Sequence, residues 1–180
     1  MPNSFQAIPP TAIVQYCLSA ASERDEQRKA IYEANRRRIY SFAFWMTDSE
    51  PMAEVVSEQT FVRAFSVHEK PSGEQLDQAL LRELHKQASV VLEPLQLQCA
   101  VALQVSSVRR NTLRVDLERA IVELPYTERM IFCMHDGDGY EHARVASTLG
   151  ITEEESRQGL HQARLRIREL VSASVREAVA

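Results

Sequence analysis

Arg157, His161, Arg164 and Arg168 recur four, three and four residues apart near the end of the chain. On a helix that spacing lines them along one side, because residues three and four apart are surface neighbours. Four arginines and no acid stand between Arg157 and Arg168. A guanidinium fork binds phosphate oxygens in pairs and fits the edge of guanine, and Gln158 and Gln162 beside it have the amide that suits adenine. The chemistry on offer is recognition of nucleic acid. A merely solvated helical hairpin would carry a similar face, so the elements around the stripe must decide.

Those elements have the parts of a helix-turn-helix. Val145 and Leu149, helped by Ala143 and Ala146, give a first helix its apolar face, and Gly150 stands where that helix must end in a left-handed residue. Thr152 and Glu155 have the spacing of a capping box, which starts a second helix. There Leu160, Ala163, Ile167 and Leu170 fall on one face, apart from the arginines. A helix propped by a shorter one in this way can enter a major groove. Glu153, Glu154 and Glu155 crowd its first turn, suiting the helix dipole but repelling phosphate, so weak affinity for DNA is expected.

Other chemistry finds little support. Asp136 to Gly139, "DGDG", resembles the opening of a calcium loop, but Glu141 comes too early to close it, and a turn before a helix is the expected reading. Cys133 and His135 have no second pair to complete a metal site, and a cysteine on an apolar helix is usually core. Gly159 lies inside the second helix and should cost about 1 kcal/mol of helix propensity. His142 and His161 are expected at the surface. No nucleophile–base pair, phosphate loop or pair of catalytic acids is evident. The expectation is a protein that is not an enzyme, with no catalytic residue, metal, cofactor or small-molecule substrate.

The 180 residues are 44% apolar and 26% charged, with five glycines, a composition that folds and favours helix. A net charge of −4 excludes a uniformly basic nucleic-acid coat. Cys17, Cys99 and Cys133 are odd in number and far apart, so no disulfide framework is indicated. No apolar stretch has membrane length and no basic region precedes the short apolar run near the start, so no membrane partner and a cytoplasmic location are expected.

The pattern predicts an all-α protein of two small helical domains joined by a linker. An N-terminal extension takes residues 1–22, a helical domain 23–94, a linker 95–111 and the helix-turn-helix domain 112–173. In the first domain Ile31, Ile39, Phe42 and Met46 mark one helix, with Arg36, Arg37 and Arg38 facing away. Asp48 and Ser49 offer caps for a second helix, whose buried set is Ala53, Val56, Phe61, Ala64 and Phe65. Leu76, Leu80, Leu84 and Ala88 mark a third helix, ended by Pro94. Trp45 is expected in core. The segment from Gln96 to Arg110 reads as linker or weak helix. Further helices are expected over 112–124, 127–135, 141–149 and 153–172.

The C-terminal motif resembles region 4 of extracytoplasmic-function (ECF) sigma factors. Leu124-Pro125, Gly139-Tyr140, Val145-Ala146, Leu149-Gly150-Ile151-Thr152, Leu160-His161, Ala163-Arg164 and Ile167-Arg168 all match it. Less closely, Tyr32, Ile39, Tyr40, Ala43, Met46, Ala53, Glu54, Phe61, Arg63, Ala64 and Phe65 match region 2 of the same family, in the family's order. The resemblance implies a sigma subunit whose partners are core RNA polymerase, promoter DNA and an anti-sigma factor. Arg157, Gln158, His161, Gln162, Arg164 and Arg168 would contact DNA, and Glu54, Glu58, Gln59, Phe61 and Arg63 would meet polymerase. Val55-Val56, the order Glu58-Gln59, Ser156 in place of the family's apolar anchor and Gly159 in place of its basic residue depart from the family. So does the stretch from Ser66 to Val91, which lacks the aromatic residues that help capture unpaired promoter bases. That favours an alternative: a sigma-like interaction protein that binds polymerase or an anti-sigma factor without opening promoters. A third reading, a stand-alone dimeric repressor, predicts tight DNA binding without polymerase.

Overall fold

The computed structural model describes the backbone of residues 10–90, 94–95 and 114–177, and the side chains of residues 23–90, 94–95 and 114–173. Seven α-helices, α1 Pro10–Thr47, α2 Glu50–Val67, α3 Gly73–Ala88, α4 Arg114–Val122, α5 Tyr126–Phe132, α6 His142–Leu149 and α7 Glu153–Glu177, make up these residues, with no strand among them. One wide turn of π-helix, Cys133–Gly137, prolongs α5.

The all-α reading holds, with differences at the ends of elements. α1 is continuous across the boundary expected at residue 22. It stops because Asp48 takes a left-handed conformation (φ 50), and Ser49 begins α2 through its backbone carbonyl, without a side-chain cap. α3 ends at Ala88, six residues before Pro94, because Ser89 turns left-handed (φ 53). That turn sends Val90 back into the core, its N–H bonded to the carbonyl of Leu84. α3 starts on a capping box, Ser72 with Gln75. The segment from Gln96 to Arg110, expected as linker or weak helix, lies outside the described residues.

α1, α2 and α3 close a bundle around Ile39, Phe42, Met46, Ala53, Val56, Phe61, Leu76 and Leu84, all buried. Phe65 packs only at its edge, stacked on Phe61. A charge completes this core. Glu83, 1% exposed, accepts hydrogen bonds from Arg63 and, at 3.2 Å, from Gln87. Burial pushes its carboxyl up, but the bonds from Arg63 and Gln87 and the charge of Arg63 together outweigh that, leaving it below the ordinary glutamate range. α4 to α7 bury a second set: Ile121, Leu124, Met130, Ile131, Val145, Leu149, Leu160, Ala163 and Ile167.

Gly159 is the tightest point of that second set. A Cβ there would stand 2.6 Å from Cδ1 of Ile131 and 3.1 Å from Cδ2 of Leu95, the residue that follows Pro94. Ile131 is fully enclosed and cannot swing aside. The glycine is therefore needed for helix contact, which sequence reasoning counted only as lost propensity. Gly159→Ala should gain about 1 kcal/mol of propensity but lose about 1–3 to overpacking. The expected net is a loss of about 1 kcal/mol, read as a lower urea midpoint at unchanged slope.

Because a depressed carboxylate stabilises only while ionised, the support from Glu83 is present above its unfolded pKa. It is lost as pH falls through the lower folded value. Glu83→Gln keeps an acceptor for Arg63, so the variant should lose stability less steeply than the wild type when titrated below the ordinary carboxylate range. Equal slopes in acid-dependent melting would refute this role.

Candidate nucleic-acid interface

The helix-turn-helix forms as its residues require. α6 ends at Gly150 in the left-handed region (φ 70), with the Ile151 N–H closing on the Ala146 carbonyl. Thr152 and Glu155 then complete the capping box: Glu155 accepts from the Thr152 N–H at 2.7 Å, and the Thr152 hydroxyl accepts from the Glu155 N–H at 3.1 Å. These bonds hold the Glu155 carboxyl below its ordinary value. Leu160, Ala163, Ile167 and Val171 seat α7 on α4, α5 and α6.

With that face buried, Arg157, His161, Arg164 and Arg168 are all exposed, while Gln158 and Gln162 are half-buried. The cations are not bare. Arg157 is paired with Glu153 at 2.7 Å, Gln158 donates to Glu154 at 2.7 Å, and Arg164 grips Asp136 through two bonds of 2.9 and 2.6 Å. Arg166 turns inward to the buried Glu128 at 3.1 Å. Burial is the larger influence on Glu128 and raises its carboxyl despite that arginine.

Three expectations on α6 and α7 are corrected. His142 is half-buried, not a surface residue: its ring stacks on His135 at 4.4 Å, and its Nδ1 lies 3.0 Å from the hydroxyl of Ser156. Ser156 itself is fully buried, so a hydrogen bond stands where an apolar anchor was expected. Ala143 is exposed, so of the two alanines only Ala146 joins Val145 and Leu149 on the apolar face. Cys133 is buried as expected, which pushes its thiol up to about 12.

In the first domain Glu54 and Glu58 are exposed and Gln59 is half-buried. Phe61 is 5% exposed and packs edge-on against Tyr32 at 4.9 Å, and Arg63 is committed to Glu83. Glu54 and Glu58, with Tyr32, Val62, Arg28 and Lys29, line an open groove between α1 and α2.

The two domains meet in a polar seam that sequence reasoning missed. Asp77 of α3, 3% exposed, receives Arg38 of α1 at 2.6 Å and Arg144 of α6 at 2.6 Å. The Tyr140 hydroxyl donates to it at 3.2 Å and accepts from both arginines, at 2.6 and 3.0 Å. Burial first, then the Asp77 charge, push that phenol up to about 12, so it stays a donor. Arg38 therefore turns into the seam instead of facing away. On the other side Arg129 of α5, 7% exposed, donates to carbonyls at both helix ends it meets. These are Val122, the last residue of α4, and Leu124 (3.0 Å) just after it, and Trp45 (3.3 Å) and Met46 (3.5 Å) closing α1. A cation here satisfies carbonyls that helix geometry leaves without donors. Trp45, expected in core, is half-buried at an open groove between α1 and α4.

Residues 114–167 match the family model of sigma-70, region 4. The chain shares its fold with the sigma factor RpoE of Bartonella quintana, solved in complex with the anti-sigma factor NepR. That likeness has a TM-score of 0.57 at 19% identity and covers 80% of this chain and 96% of that one. No curated protein sequence matches the chain. Among the described residues no helix is long and apolar enough to cross a membrane.

Asp77→Ala would leave Arg144 without its carboxylate and Arg38 with only the longer pair to Asp138 at 3.8 Å. The expected loss is about 2–3 kcal/mol, below the full cost for a buried pair because both arginines keep some solvent. Trp45, the one tryptophan, should then shift its fluorescence to the red as α4 parts from α1. An unshifted spectrum with full stability would show that the seam does not hold the domains.

Proposed function

We propose that the protein is a sigma subunit of the ECF type, which directs RNA polymerase to promoters through the helix-turn-helix of α6 and α7. The observation that carries this is the split of α7. Its apolar residues are buried, and Arg157, His161, Arg164 and Arg168 face solvent on a segment whose sequence matches the family model of sigma-70, region 4. In this reading α7 lies in the major groove of the minus-thirty-five element, with Arg157, Gln158, His161 and Gln162 at base edges and Arg164 and Arg168 on phosphates. The first domain meets polymerase around Glu54 and Glu58, with Phe61 and Arg63 holding that surface in shape from behind.

A second reading is favoured by the seam. The domains are joined by buried charge, and α3 and its flanks lack aromatic residues for holding unpaired bases. A sigma-like protein that engages polymerase or an anti-sigma factor without opening DNA would have both features. The solved relative was crystallised with such a factor, which makes a partner of that kind a reasonable one here.

Transcription with purified core polymerase separates the two. Specific run-off products are expected from the first, and partner binding without open complexes from the second. Within the first, Arg157→Ala should weaken promoter use by about 1–3 kcal/mol and leave polymerase binding unchanged. Equal transcription by the variant would remove Arg157 from the contact set.

A further inference from the structure

Arg164 sits in the middle of the exposed stripe, and its grip on Asp136 differs from the other pairs there. Arg157 with Glu153 is a pair within one helical turn, exposed at both ends; such pairs are weak and readily exchanged. Asp136 lies 28 residues from Arg164, on the wide turn after α5. It meets the Nε and Nη2 edge of the guanidinium with both oxygens. This is the arrangement by which an arginine takes two oxygens of a phosphate.

The aspartate is braced. His135 Nδ1 lies 3.0 Å from its Oδ1, and the His135 ring stacks on His142, which bonds Ser156 in the floor of α7. The hydrogen bond from Arg164, stronger here than the opposing effect of burial, and that of His135 hold the Asp136 carboxyl below its ordinary range. It is therefore a fixed anion at the surface that should face a phosphodiester backbone.

We propose that Asp136 is a built-in competitor for DNA phosphate at Arg164. In the free protein a carboxylate fills the fork. Binding of a duplex exchanges it for phosphate oxygens and leaves Asp136 beside the backbone as a repelling charge. The domain then binds weakly by itself and depends on polymerase to hold it at a promoter. This rests on the reading of α7 as the DNA-binding helix.

The test uses the full chain and mixed-sequence duplex DNA, because contacts to phosphate need no promoter. Affinity is measured over a range of salt for the wild type, Asp136→Asn, Arg164→Ala and the double variant. Asp136→Asn keeps an acceptor for Arg164 without the charge. It should bind about three- to tenfold tighter, with a salt dependence steeper by about one phosphate contact. The gain should vanish in the Arg164→Ala background. Weaker or equal binding by Asp136→Asn, with wild-type binding intact, overturns the proposal and makes the aspartate an aiming group or a bystander. If none of the four binds DNA, the assignment of α7 falls, and this inference with it. The Arg164 Nε–H resonance, compared between wild type and Asp136→Asn without DNA, reports separately whether the grip exists in solution; its absence also overturns the proposal.

Discussion

A single carboxylate, Asp77, ties the two halves of this protein together. It is buried, yet it comes from the first domain and is neutralised by one arginine from each domain, Arg38 and Arg144. Burying an ion is costly unless its charge and its lone pairs are all met. Here two guanidinium groups and a phenol meet them, and the cost becomes a geometric condition: α1, α3, α6 and the turn carrying Tyr140 must stand in one arrangement. Arg129 imposes a similar condition at the opposite end, since the carbonyls it satisfies close helices of both domains.

That constraint bears on function because the seam holds α6, and α6 props α7. A helix can present a cationic side only if its other side is held, and α7 is held by apolar burial together with the glycine contact at Gly159. The outward side is then tuned by acids. Glu153 holds Arg157, Glu154 holds Gln158 and Asp136 holds Arg164. The result is an outward side of low net charge, which in the proposed function suits a protein whose overall charge is negative and whose hold on DNA is shared with polymerase.

The first domain uses the same economy of ions. Arg63 is absorbed by Glu83, and Phe61 by Tyr32 and Phe65, so what remains outward between α1 and α2 is a groove edged by Glu54 and Glu58. A partner would meet Glu54 and Glu58 together with Arg28, Lys29 and the Tyr32 ring there, on a surface stiffened from within by a buried ion pair.

Much of this was legible in the amino-acid order alone. The helices, the left-handed glycine at 150, the capping box at Thr152 and the split of α7 into apolar and cationic sides all follow from spacing, because each depends on residues within about one or two turns of each other. What spacing cannot carry is the identity of a distant partner. Arg38 looks as solvated as Arg36 and Arg37 until Asp77, 39 residues away, is placed beside it. Ser156 and Gly159 look like defects until His142, Ile131 and Leu95 arrive. Arg164 looks free until the wide turn after α5 delivers Asp136. Local geometry decides which side of a helix faces out. Only tertiary contact decides which of the charges on it are already spoken for, because an ion pair is made by distance in space and not along the chain.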